Sequence, residues 1–486
     1  MRLDYMLEIL RKKYYSVPFR VKASFWFLIC SVMQKGISVI TTPIFTRLMD
    51  TEQYGKYSVF NSWYSVIAVF VTLRLYYGVY SQGLVKFEAI RDKYSSALQG
   101  LTLTLCGVWF LIYIAFANFW NAIFSLSTSA MIAMFVIVWA TAAFNFWAAN
   151  QRIDYKYKEL VIVTLIVTIA KPTLGVLMVI NSQDKALARI WGLAIVELIC
   201  YFWLFLEQLR KGKTFFSRSI WKYAVSFNIP LIPHYLSQTI LSNSDRIMIE
   251  KLIDTSSAGI YSLAYSIAML MLLFNEAMQQ TLAPWIYGKI KDKKFNDIHS
   301  VAYISLILVA MINLLLIVIA PEAVRIFAPP AYHEAIWIVP PVAMSTYFLF
   351  LYNIFSYFEF YFEKTKSIAL STVAAALINV VLNYIFIKRN GYMAASYTTL
   401  ICYILYALLH YFVMKNICKK ECNNVVVYNP FVIIGIGAIF MILGFLSMIF
   451  YDFSIIRYGI IVIIVVTIII KRRWAIDFYK RLRYEK

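Results

Sequence analysis

The chain has 486 residues, 62% of them hydrophobic and only 15% charged, with a mean hydropathy of +0.70 and a formal net charge of +21. A soluble globular protein carries about a quarter charged residues, so this composition excludes one. Apolar runs of the roughly 20 residues that cross a bilayer recur along the whole length, which predicts an all-α polytopic membrane protein.

A basic segment, 1–22, comes first; its Tyr5–Val21 stretch suits the cytoplasmic leaflet surface. No small-residue cleavage site follows the first span, so that span reads as an uncleaved anchor. Hydropathy predicts spans at 23–46, 57–80, 96–117, 127–148, 160–181 and 187–208, an N-lobe over 23–208. A charged linker, 209–225, precedes spans at 226–250, 258–282, 300–321, 335–358, 367–388 and 393–415, a C-lobe over 226–415. A terminal pair at 430–451 and 454–471 lies within 430–471, and a basic tail, 472–486, ends the chain. The total is about 14 transmembrane helices.

The two lobes carry a repeat. Leu48-Met-Asp-Thr-Glu-Gln-Tyr-Gly-Lys-Tyr-Ser58 returns as Leu252-Ile-Asp-Thr-Ser-Ser-Ala-Gly-Ile-Tyr-Ser262, with Leu, Asp, Thr, Gly, Tyr and Ser in register 204 residues apart. Both copies leave one apolar segment and enter the next, as in a duplicated membrane domain. Six spans per repeat return the chain to the same side, so the repeats are parallel and their pseudo-twofold axis follows the membrane normal.

The basic residues fit that topology. With the N-terminus in the cytoplasm, 33 of the 46 Lys and Arg fall on cytoplasmic segments; Lys388-Arg389 dissents. This is the positive-inside pattern and puts both termini in the cytoplasm. The positive charge is thus a topology signal and no nucleic-acid partner is expected. No loop is long enough to fold as a domain, and a membrane enzyme acting on an outer-face acceptor usually carries one. No nucleotide-binding glycine loop or His-Glu-x-x-His occurs. Cys30, Cys106, Cys200 and Cys402 read as apolar packing, and Cys418 with Cys422 falls short of a zinc ligand set. No metal and no resident cofactor are expected, and no catalytic residue.

Ionisable residues at membrane depth are costly and face protein or water. They are Lys35, Arg74, Lys171, Glu197, Asp245, Arg246 and Glu276. His234, Gln238, Ser242 and Arg246 recur at i+4 and form a polar stripe on the seventh span, with Asp245 about 100° away. Pro230 and Pro233 kink its inner end. Lys35, Ser38 and Thr42 make a weaker stripe on the first span. Converging, these faces would line a cationic cavity for a large anionic substrate, since Lys and Arg pair strongly with phosphate. For any single Asn, Gln or Ser the plainer role is interhelical glue.

The Pro43…Thr46-Arg-Leu-Met-Asp-x4-Gly55-x-Tyr57 block resembles the first loop of bacterial polysaccharide flippases of the Wzx type. Pro230-Leu-Ile-Pro-His234…Ser244-Asp-Arg246…Gly259-Ile-Tyr-Ser-Leu-Ala-Tyr265 and Ala283-Pro-Trp285 are similar to their seventh and eighth helices. The resemblance covers about residues 20–420. It implies the fold of the multidrug/oligosaccharidyl-lipid/polysaccharide (MOP) superfamily, two six-helix lobes in a V about a central cavity. It further implies a transporter, not an enzyme, which flips undecaprenyl-pyrophosphate-linked oligosaccharide repeat units to the outer leaflet of the bacterial inner membrane. Such units build surface polysaccharide such as O-antigen lipopolysaccharide or capsule, with a polymerase and a chain-length regulator as partners. Arg74 looks like the second-helix arginine with which related lipid II flippases bind diphosphate. Ile40-Thr41 stands where those proteins carry Arg-Asp, which shifts the pyrophosphate contacts to Lys35 and Arg246. The expected substrate-binding residues are Arg74, Lys35, Arg246, Lys171, His234 and Gln238, and the ion-coupling candidates for H⁺ or Na⁺ are Glu276 and Asp245. In lipid II flippases a terminal helix pair forms a groove for the lipid tail. A multidrug cation exporter of the same fold is the nearer rival, favoured by acidic cavity residues; a membrane polysaccharide polymerase is the farther one.

Overall fold

The computed structural model of the chain describes residues 18–470; the rest of the N-terminal basic segment and the tail 472–486 lie outside the described residues. Among the described residues every regular element is a helix, as lipid demands, because a helix satisfies its own backbone hydrogen bonds. In chain order the first are α1 (Phe19–Leu48), α2 (Thr51–Thr72), α3 (Gly78–Lys86), α4 (Arg91–Ala115), α5 (Ala117–Phe124), α6 (Thr128–Ile153), α7 (Tyr157–Ile180), α8 (Lys185–Gly212) and α9 (Arg218–Asn228). Then come α10 (Ile232–Leu252), α11 (Thr255–Ala268), α12 (Leu270–Lys291), α13 (Phe295–Val318), α14 (Ala320–Phe327), α15 (Ala335–Tyr361), α16 (Thr365–Asn390), α17 (Ala394–Glu421), α18 (Pro430–Ile449) and α19 (Ser454–Ile470).

Eleven helical segments among the described residues are long and apolar enough to cross a membrane. The other three expected spans fall on α2, α10 and α19. The first two are more polar: α10 alone carries Gln238, Ser242, Asn243, Ser244, Asp245, Arg246 and Glu250. The chain is a multi-pass helical membrane protein.

Two expected spans are interrupted. The one over 57–80 stops at Thr72, where Leu73 and Arg74 take left-handed φ of 49° and 51°, and resumes at Gly78. Left-handed backbone costs a non-glycine residue roughly 1–2 kcal/mol, and side chains offset it here. The Thr72 hydroxyl accepts from the Arg74 amide at 3.2 Å, and Asn228 Nδ2 donates to the Leu73 carbonyl at 2.7 Å. The one over 226–250 is divided by a 3₁₀ turn at Ile229–Leu231, where Pro230 and Pro233 cannot donate to the ladder.

The chain divides into two compact units. Unit 1 holds residues through Leu48 and Tyr64–Ile232; there α8 packs against α4, α6 and α7, and α1 lies along α7. Unit 2 holds Met49–Trp63 and the chain from Pro233; α15 is its central helix, packed on α11, α13 and α17, with α16 on α17.

Within unit 2 the two copies of the repeated motif meet. Asp50 and Asp254 cap α2 and α11, accepting from the amides of Gln53 and Ser257 at 2.7 Å each. The helices then cross at their first turns with the symmetry of the repeat. A Cβ on Gly55 would stand 1.9 Å from the Thr255 carbonyl oxygen, and one on Gly259 2.1 Å from that of Thr51. Only hydrogen fits at either place, the small-xxx-small logic of close helix crossings. Ser256 Oγ donates to Thr51 Oγ1 at 2.6 Å across the crossing, and Tyr332 Oη donates to the Met49 and Asp50 carbonyls at 3.2 and 3.0 Å.

The terminal helices dock on α13. Tyr451 Oη donates to the Ile317 carbonyl at 2.8 Å, and the buried Arg457 pairs with Glu322 of α14 at 2.5 Å. Burial works against the Glu322 charge, but the hydrogen bond and charge of Arg457 outweigh it and hold that carboxyl below its usual range. The outer face of α18, with Phe431, Ile434, Ile439 and Ile442 exposed, suits lipid.

Candidate functional site

Unit 1 contains a cavity of about 400 Å³ built by α1, α6, α7 and α8. Lys171 of α7, central in its helix, pairs with Glu197 of α8 at 2.5 Å; Thr141 of α6 donates to the other carboxylate oxygen at 2.6 Å. Lys171 is 28% exposed and Glu197 4%, so the cation faces the space and the carboxylate backs it. Tyr201, one helical turn after Glu197, stacks on Phe144 at 4.5 Å and lies 5.8 Å from the Lys171 ammonium. Gln34, Asn145 and Thr164 add amides and a hydroxyl, and Arg152 adds a second cation. With all three charged groups ionised the lining carries one net positive charge. Amides, hydroxyls, an aromatic face and a surplus cation suit a sugar-like or anionic group.

In unit 2 the Ser244-Asp245-Arg246 block of α10 is a packed node. Asp245 is 0% exposed, and it accepts from Tyr261 Oη at 2.6 Å, Asn383 Nδ2 at 2.6 Å and Thr399 Oγ1 at 2.9 Å. Asn379 Oδ1 in turn accepts from Ser244 Oγ at 2.9 Å and Asn383 Nδ2 at 3.2 Å, while Thr398 donates to Asn383 Oδ1. A buried carboxylate is tolerable only with such partners. Arg246, also buried, lays its guanidinium 3.9 Å from the Tyr265 ring centre and donates to the Ser242 carbonyl at 2.6 Å. Among the described residues no cluster of three His, Cys, Asp or Glu could hold a metal. The carboxylate, amide and hydroxyl oxygens around Asp245 are the ligand types of a hard cation.

The residues singled out from sequence are therefore dispersed. Lys171 lines the cavity; Lys35, half-buried on α1, is not among the residues lining it, although its neighbours Ser31 and Gln34 are. Arg74 occupies the interruption after α2. His234 is half-buried and Gln238 exposed on α10, and Glu276 is exposed on α12. Thr141, Asn145, Arg152 and Tyr201 escaped the sequence reading. Lys171 and Glu197 were each visible as membrane-depth charges, yet they lie 26 residues apart on two different helices, so their pairing had no local signal.

Residues 21–288 match the family described as "Polysaccharide biosynthesis protein", and residues 230–385 match MatE. An "uncharacterized membrane protein" of Haemophilus influenzae is 22% identical over 374 residues, 74% of this chain and 88% of that protein. An Lsg locus protein of the same organism is 23% identical over 386 residues, 74% of this chain and 89% of that one. Among solved structures, the lipid II flippase MurJ in an inward closed conformation superposes with a TM-score of 0.69 at 14% identity, over 92% of this chain and 99% of that one. An inward-facing multidrug resistance MATE family transporter of the MOP superfamily gives a TM-score of 0.61 at 12% identity, over 82% and 99%. At those identities the structures speak for fold alone, and that fold is the one the Wzx-type resemblance implied. The family match spans more than half the chain and carries the membership: the chain belongs to the polysaccharide biosynthesis protein family and has the fold of MOP superfamily transporters.

Proposed function

We propose that this protein flips undecaprenyl-pyrophosphate-linked oligosaccharide repeat units from the cytoplasmic to the outer leaflet of a bacterial inner membrane. The observation that carries the reading is the cavity of unit 1, with Lys171 and Arg152 against the single carboxylate of Glu197. A net positive, amide-rich lining favours a phosphate-bearing or acidic-sugar head group and disfavours the organic cations of a multidrug exporter. The family membership supports the same class of substrate. In this reading the head group enters from the cytoplasmic side, Lys171 and Arg152 neutralise its charge, and Tyr201 packs against a sugar ring while the polyprenyl tail stays in lipid. Alternating access then exposes the head group outside. Arg74, Lys35, Arg246, His234 and Gln238 are assigned further contacts along the route, and Asp245 with its oxygen-rich surroundings is the leading seat for a coupling ion, ahead of the exposed Glu276. Both termini are cytoplasmic, and a polymerase with its chain-length regulator would take the product.

The test is the leaflet location of lipid-linked oligosaccharide in a strain lacking this gene. Accumulation on the cytoplasmic face, relieved by the wild-type gene and poorly by one encoding Lys171→Met, is the expected result. Units that reach the outer leaflet and remain unpolymerised would overturn the flippase reading and point to a polymerase.

A further inference from the structure

Unit 2 buries a second acid–base pair that the transport reading leaves unused. Glu359, near the end of α15, and His410 of α17 are both 0% exposed, and His410 Nδ1 lies 2.5 Å from Glu359 Oε1. Aromatic rings close around the imidazole: those of Tyr352 and Tyr406 are each centred 4.6 Å from it. Outside the shared contact, Glu359 Oε2 and His410 Nε2 are buried without a hydrogen-bond partner among the described residues. Interhelical packing would need neither the carboxylate nor the imidazole, and an orphaned buried polar atom is destabilising.

We infer that Glu359 and His410 together hold one exchangeable proton and form a protonation latch on unit 2. With one proton between them the pair is neutral overall, whether written as carboxylate and imidazolium or as carboxylic acid and imidazole. Losing that proton leaves a buried anion, and gaining a second leaves a buried cation. Either net charge carries a large desolvation cost in a dry interior. The packed arrangement therefore retains its proton, and admission of water removes the cost and lets the proton leave. By linkage, whatever opens the packing between α15 and α17 favours release, and reprotonation favours closure. In the release step the O–H bond of the carboxylic acid in the acid–imidazole form breaks, the proton passes to water, and carboxylate and neutral imidazole remain.

The groups that bear on the pair are few. Tyr352 comes from α15 itself and Tyr406 from α17, the latter 3.2 Å from Thr372 Oγ1 of α16. His234 of α10 is close enough to His410 for their charges to interact; its Nδ1 is likewise buried without a partner among the described residues. The charge that faces Glu359 is that of His410. His234 begins the polar stripe of α10, so it is the natural relay between the latch and a wetted face. The site is separate from the Asp245 cage. It deepens the transport reading only in naming what proton movement would drive, and the proton itself can be measured without any transported molecule.

The experiment uses the full chain reconstituted in lipid nanodiscs, without substrate. Infrared difference spectra are recorded on pH steps between about pH 4 and 10, the span over which carboxyl and imidazole groups titrate. The expected result is a glutamic-acid carbonyl band that changes together with imidazole bands and is lost in Glu359→Gln. His410→Gln should displace the same band by more than one pH unit. The double variant E359Q/H410Q keeps a neutral hydrogen-bonded pair and guards against misfolding. In an unbuffered pH jump it should take up one proton fewer per chain than wild type, whereas the surface variant Glu52→Gln keeps the band. A band that survives Glu359→Gln, or equal proton uptake by wild type and the double variant, would overturn the latch. Loss of the band alongside a failed leaflet assay would leave the latch standing and sink only the substrate reading.

Discussion

Replacing Gly259 with alanine tests the backbone-on-backbone crossing of α2 and α11. The new Cβ would stand 2.1 Å from the Thr51 carbonyl oxygen, against roughly 3.3 Å for a comfortable C···O approach, so the helices must part by about 1 Å. Overpacking of this kind costs about 1–3 kcal/mol. Parting also weakens the Ser256–Thr51 hydrogen bond of 2.6 Å, for about another 1 kcal/mol. Removing a glycine from a helix returns about 1 kcal/mol, which leaves a net loss of about 1–3 kcal/mol. The assay is equilibrium unfolding of the purified full chain in mixed micelles of increasing denaturing-detergent fraction. Gly36→Ala, where nothing lies within 4 Å of the added carbon, is the control and should be neutral or slightly stabilising. Gly55→Ala should match Gly259→Ala, and the double variant should cost less than the sum, because the first substitution has already separated the helices. If Gly259→Ala unfolds with the Gly36→Ala variant rather than before it, the crossing is not as close as described and the reasoning fails.

Three further outcomes are expected. Lys171→Met strands the buried Glu197 carboxylate and should destabilise unit 1 by about 2 kcal/mol, discounted for the partial exposure of the lysine, with K171M/E197Q recovering most of it in the same unfolding assay. Asn228→Ala removes the donor to the Leu73 carbonyl and should cost about 1–3 kcal/mol, read also as faster hydrogen exchange over residues 72–78. The Glu322–Arg457 pair should make docking of the terminal helices acid-sensitive. Since the Glu322 carboxyl is held below its ordinary range, its contribution is full above about pH 4.3 and is lost as pH falls through its folded value. Glu322→Gln should remove that part of the pH dependence and be less stable than wild type near neutrality, as measured by limited proteolysis between α18 and α19.

What the sequence disclosed follows from what is local. The Asp-Thr-x3-Gly repeat was legible because capping and close crossing each act through one residue type at a fixed offset, and the structure puts both copies to that use. Helix existence was legible from hydropathy for the same reason. The break at Leu73–Arg74 was not: neither residue favours a left-handed backbone, and the group that satisfies it, Asn228, lies 155 residues away. The partnerships of Lys171 with Glu197 and of Glu359 with His410 were hidden similarly, since they depend on which helix faces which. Arg246 was read as a cavity residue from the stripe on α10, and Asp245, about 100° off that stripe, as an ion-coupling candidate. Periodicity places them on a helix face, whereas Tyr261, Tyr265, Asn383 and Thr399 from three other helices surround them.

The crossing at Gly55 and Gly259 also sets a timetable. Residues 49–63 belong to unit 2 although they are made with the first repeat, and their contact surface on α11 follows 204 residues later. At a synthesis rate of about 5–20 residues per second, that gap lasts roughly 10–40 s. For that interval the first turn of α2 carries Thr51 and Gly55 with no matching helix yet made. The biogenesis of this protein thus includes a delayed capture: a segment of unit 2 is made with the first repeat and meets its partner only when the second arrives, and a ribosome stalled between the repeats would leave a helix waiting for its place.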